Sequence, residues 1–158
     1  MSIRTRAAGL GLLLALLQAP AALGGQGVDA PKLAAVKTLK CQFDKMAIGT
    51  WLKDGQTEVK IQPVKIALGF EQINTEDGTA EVTGSFGAPY IVVRVAGTYL
   101  HFIQVGGQGF LYTTTVFDRF ARPGKLMAVH ARHEFTEVSL PGYTSRPEQY
   151  YGECEVVP

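Results

Sequence analysis

From Lys37 onward the chain is a succession of short runs rich in valine, isoleucine, threonine, phenylalanine and tyrosine, cut apart by turn residues. That punctuation constrains the fold more than any other feature, because such spacing indicates an antiparallel β protein. Strands are expected over residues 38–43, 48–52, 58–62, 64–73, 79–85, 90–95, 99–105, 110–117, 125–135 and 151–156. Some of these merge, which leaves about eight or nine. Asp54-Gly55 and Asp77-Gly78 suit tight hairpins, and Ala96-Gly97, Gly106-Gly107-Gln108-Gly109 and Pro123-Gly124 serve between later strands. Short connections join antiparallel neighbours, so the expected chain order is a meander. Only residues 136–150, with Pro141-Gly142 and Pro147, read as a long loop.

A meander of this size has edges to dispose of, and closing into a barrel removes them. The two cysteines, Cys41 and Cys154, fall on the first and last expected strands. A disulfide between them fits that closure. The fold expected is therefore an all-β small barrel with its termini joined by a disulfide. A two-sheet sandwich built from the same strands is the alternative.

The front of the chain has the order of an export signal: Arg4 and Arg6, then the apolar run over 7–17, then small residues up to Gly25. The run is shorter than the ~20 residues that a membrane-crossing helix needs. Residues 1–24 are read as a signal peptide, 25–36 as a leader or linker, either loose or forming a short helix over 32–36, and 37–158 as one β domain. A periplasmic or extracellular location is expected, where a disulfide persists. Removing Arg4 and Arg6 leaves 13 basic residues of the 15, against 14 acidic ones, a net charge of −1. Near neutrality argues against nucleic-acid binding, which needs a basic face. No membrane span is expected in the mature chain, and no protein partner can be named.

Six side chains are candidates for holding a ligand. Tyr99 and His101, Tyr112 and Thr114, and His130 and Arg132 are pairs two residues apart on strands expected to be neighbours. Each pair shares a face by alternation. If all three faces turn inward, apolar bodies with polar tips would orient an amphiphilic molecule, and Arg132 would favour an anionic one. Room for it is expected from the small residues Ala67, Gly69, Ala80 and Gly84. His130 and His133 fall on opposite faces of a strand, so no shared metal site and no cofactor are expected. No catalytic residue stands out. Ser85, Ser139 and Ser145 lack a nucleophile-elbow setting, and the carboxylates are scattered. The only tryptophan, Trp51, is expected to be a buried structural residue at the end of its strand.

Gly49-Thr50-Trp51 resembles the first signature of the lipocalins, secreted eight-stranded barrels that carry small apolar ligands. The resemblance covers that triplet alone; the family's Thr-Asp-Tyr turn is missing. It implies a tryptophan closing the barrel base against an arginine of a late strand, a role for Arg132. Residues 113–117, 128–133 and 149–154 also resemble recurring segments of short exported bacterial hypothetical proteins. That likeness implies a folded exported domain and no particular chemistry.

Three functions compete. The first is a non-catalytic binding module for a small hydrophobic or amphiphilic ligand in a β-barrel. The second is a packed β protein acting through protein–protein contacts. The third is a hydrolase-like enzyme using His101, His130 and Arg132.

Overall fold

The computed structural model describes residues 32–84, 91–105, 110–133 and 146–158. The proposed signal peptide, the leader up to residue 31, Ser85, Tyr90, the glycine-rich segment 106–109, residues 134–135 and most of the 136–150 loop lie outside these.

Eight strands run in the chain order β1 (Leu39–Trp51), β2 (Thr57–Asn74), β3 (Thr79–Gly84), β4 (Ile91–Ala96), β5 (Tyr99–Val105), β6 (Leu111–Arg122), β7 (Lys125–Arg132) and β8 (Glu148–Val156). Two pairs of expected runs merge, into β1 and into β2, and every described ladder is antiparallel. The order across the sheet is β3-β2-β1-β8-β7-β6-β5-β4. The first strand pairs with the last, so the meander is cyclic and nearly closed into a barrel. The remaining seam lies between β3 and β4, where the Val93 N–H donates to the Gly78 carbonyl at 2.8 Å.

Cys41 and Cys154 form a disulfide and stand directly opposite on the β1–β8 ladder. The Val157 N–H bonds the Thr38 carbonyl. By alternation, the polar groups of Cys41 then point away from β8. The two cysteines therefore form a pair that exchanges no backbone hydrogen bonds, the arrangement in which Cα atoms come closest. They are 4.0 Å apart. Sulfur can bridge such a pair without drawing the strands together.

The base of the barrel is stopped by the segment before β1. A 3-10 turn, η1 (Leu33–Ala35), buries Leu33 and, with it, Val36 in the core. Thr75 donates to the Ala34 carbonyl, and Ile73 and Lys37 exchange hydrogen bonds. Among the described residues, packing thus reaches back to Leu33, inside the stretch read as leader. Above this plug the interior is apolar: Leu39, Leu68, Phe70, Leu100, Phe102, Val116 and Leu126 are buried. Phe70 stacks on Phe102 with ring centroids 3.9 Å apart.

Trp51 is not buried. It lies at the far end of β1 from the plug and is 57% exposed. Its register partner is Thr57, and it shares the outer face with Ala47 and Gly49, whereas Met46 and Ile48 turn inward. Arg132 points to the interior, so the tryptophan–arginine packing implied by the lipocalin likeness is not made. The sequence offered Trp51 neighbours of either parity, and alternation placed it outside. Trp51→Ala should change stability by no more than about 1 kcal/mol, as surface substitutions do. Chemical denaturation checks this, and a loss of core magnitude would contradict it.

Candidate functional site

The ladders order the inward side chains into rows around the wall. The row nearest the end away from the plug reads Gln104 (β5), Tyr112 (β6), Arg132 (β7), Glu148 (β8) and Ile48 (β1). The row beneath reads Phe102, Thr114, His130, Tyr150 and Met46. Below that come Leu100, Val116 and Ala128, and the interior turns apolar. Polar side chains therefore gather at the mouth, over an apolar floor. Gln104, Thr114 and His130 are fully buried, and Arg132 is 4% exposed.

Four of the six expected ligand residues, Tyr112, Thr114, His130 and Arg132, come together here. Tyr99 and His101 do not. On β5 the buried residues are Leu100, Phe102 and Gln104, so Tyr99 and His101 occupy the outer face. His101 Nδ1 lies 3.0 Å from Thr115 Oγ1, and Tyr99 stacks on His101 and meets Phe117 edge-on. The physical reason is that β5 carries large apolar residues on both parities, and a shift of one residue exchanges the faces. The expected source of room fails in part: Ala80 and Gly84 share the inward parity of β3 with Val82, whereas Ala67 and Gly69 face outward. Ala67 and Gly69 alternate with the buried Leu68 and Phe70, and a side chain on Gly69 would meet Thr83.

The contacts within the cluster are specific. Thr114 Oγ1 and His130 Nδ1 are 2.8 Å apart, deep in the wall. The rings of Phe43, Tyr112 and Tyr150 surround the imidazole at centroid distances of 5.8, 5.9 and 5.7 Å. The Arg132 guanidinium lies 5.3 Å from the ring centroids of both Tyr112 and Tyr150, within cation–π range of each. Glu148 is 3.9 Å from the same guanidinium and accepts a hydrogen bond from the Tyr150 hydroxyl. The arginine charge is thus balanced by a carboxylate and two aromatic faces.

Burial, and then the Arg132 charge, hold the His130 imidazole at about 3. It is neutral at pH 7. A group so far from the working pH is a poor proton carrier, although it hydrogen-bonds well. Burial, and then the bond to Glu148, push the Tyr150 hydroxyl above the ordinary phenol range, so it stays protonated. His133 is exposed while His130 is buried, as strand alternation requires. His101, His130 and Arg132 do not converge, which leaves the hydrolase-like alternative without a shared site.

Gln104, Glu148 and Tyr150 belong to the cluster and were missed. Parity would have found two of them: Gln104 follows Leu100 and Phe102, and Tyr150 precedes the disulfide-bonded Cys154 by an even step. Comparison with family models, with curated proteins and with solved structures finds no match.

Proposed function

We propose that the protein is an exported, non-catalytic binding module whose barrel mouth holds a small, neutral amphiphilic molecule. The observation that carries this reading is the buried polar ring of Gln104, Thr114, His130 and Arg132 above an apolar floor. Burying polar and charged groups is unfavourable relative to an apolar core of the same shape. A barrel whose interior served stability alone has no use for them at one end only. Hydroxyl, amide and imidazole groups are suited to orienting the polar end of a ligand, while Met46, Phe43 and Phe102 meet its apolar part.

Neutrality follows from electrostatics. Glu148 sits beside Arg132, so an anionic head would gain the guanidinium and meet the carboxylate in the same space. This replaces the anionic preference expected from Arg132 alone. The Phe70–Phe102 stack fills the interior beneath the row of Gln104, Tyr112 and Arg132, so the occupant is short and confined to that end. Export is supported by the disulfide together with the signal-like residues 1–24.

Native mass spectrometry of protein purified from its own host tests the reading. The expected spectrum shows the mature chain plus a small neutral molecule that is released on denaturation. A spectrum of the bare chain alone counts against it.

A further inference from the structure

We infer that the projecting end of the β1–β2 hairpin is a self-association edge, which pairs residues 57–61 of β2 with the same residues of a second copy. The ribbon outruns its neighbours. On one side, among the described residues, β1 contacts the chain entering β8 no further than Gly49, whose N–H meets the Pro147 carbonyl just past the Ile48–Glu148 pair. On the other, β3 covers β2 only as far as Leu68 among the described residues. Residues 57–61 are paired to β1 alone among the described residues, and Val59 and Ile61 are 69% and 77% exposed. Exposed strand edges of this kind are templates for adding another strand.

Backbone parity sets the register of such a pair. Gly49 donates its N–H to the Pro147 carbonyl, so its polar groups point toward β8. Its partner across the hairpin, Val59, therefore turns its N–H and C=O away from β1, to the outer edge. Thr57 and Ile61 do the same, and so does Pro63, which has no N–H to offer. A two-fold axis at Val59 lets Val59 bond its own copy and Thr57 bond Ile61 in both senses. An axis at Ile61 would set Val59 against Pro63 and lose bonds. An axis at Thr57 would run the pairing into the Asp54-Gly55 turn.

The charges select the same axis. Glu58 and Lys60 are ion-paired within the strand at 3.1 Å. Centred on Val59, each Lys60 lies opposite Glu58 of the second copy, at the closely spaced positions that exchange no backbone bonds. Centred on Glu58 or Lys60, like charges would oppose each other. The other face of the paired ribbons brings Val59 beside its own copy and Ile61 beside Thr57, which shields part of the exposed apolar surface. The contact is isologous, so it closes as a dimer and does not propagate.

Sedimentation velocity over a concentration series of the mature chain tests this. Wild type should pass reversibly from monomer to dimer. Lys60→Glu and Glu58→Lys, made singly, should each weaken association by about tenfold, equivalent to ~1.4 kcal/mol. The double variant E58K/K60E should restore it. Val59→Pro, which removes a central N–H, should leave a folded monomer by circular dichroism. A wild type that is monomeric throughout overturns the proposal, as does a double variant no better than the singles. Recruitment of monomer to phosphatidylcholine vesicles through Val59 and Ile61, in place of dimerisation, overturns it as well. The ligand reading stands or falls separately, because these residues lie outside the barrel mouth.

Discussion

Replacing both cysteines by alanine should lower the stability of the mature protein by roughly 2–5 kcal/mol, the usual range for a native bridge in a small secreted domain. The bridge spans 113 residues of sequence, and loop-closure entropy for such a separation is about 4–5 kcal/mol. The effect acts mainly through the unfolded chain. In the fold, β1 and β8 are already paired from Leu39–Val156 to Ile48–Glu148, so the strands do not depend on sulfur to find each other. The gap in the barrel lies at the β3–β4 seam, far from the bridge in strand order. The double variant should therefore keep a native-like far-ultraviolet spectrum at low temperature. Its melting temperature should fall by on the order of 10 °C. An unchanged melting temperature would show that the unfolded chain gains nothing from the lost link.

The second large effect is acid sensitivity centred on His130. Its imidazole is held at about 3 in the fold, against an ordinary value of 6.5. As pH falls below 6.5 the unfolded chain takes up a proton that the folded chain refuses. Stability present above that pH is lost on acidification, with a slope approaching 1.4 kcal/mol per unit at most. Between pH 6.5 and 4.5 this amounts to roughly 2 kcal/mol. Below that window, Glu153 and Glu155 add their own loss. Hydrogen bonds from Arg122 and Lys125 hold those carboxyls below the ordinary range. The upper window is the one that isolates the histidine. Urea denaturation at stepped pH should show the slope in wild type and a nearly flat line between pH 6.5 and 4.5 in His130→Gln. Equal slopes in the two proteins would mean that His130 accepts its proton in place.

The sequence made the turns and the strand pairing legible because their signals are local. Gly55 and Gly78 adopt φ of 82° and 72°, and Asp-Gly at those positions announced the hairpins. The cysteines then told which strands meet last. What remained hidden was which face each strand turns inward. On β7, Leu126, Ala128, His130 and Arg132 could be grouped correctly, since one parity ends in a histidine and an arginine that need a common setting. On β5, Tyr99, His101 and Ile103 looked as core-like as Leu100, Phe102 and Gln104, and only the pairing of Gln104 with Tyr112 separates them. The long-range row joining Gln104 to Glu148 depends on three ladders in register, which no local pattern encodes. Trp51 was misplaced for a related reason: the extension of β1 beyond the end of β8 is a property of the partner strand.

The central claim, a polar barrel mouth that holds a neutral amphiphile, is tested most directly by fluorescence titration. N-phenyl-1-naphthylamine serves as the neutral probe, and its sulfonated analogue 1-anilinonaphthalene-8-sulfonate as the anionic one. Wild type should bind the neutral probe saturably at one site, in preference to the anionic probe. Thr114→Val, which removes the hydroxyl beside His130 inside the mouth, should weaken that binding. Thr113→Val, one residue along and on the outer face, should leave it unchanged. Saturable binding with this contrast is the predicted result. Absence of saturation, or equal effects of the inner and outer substitutions, would contradict the claim.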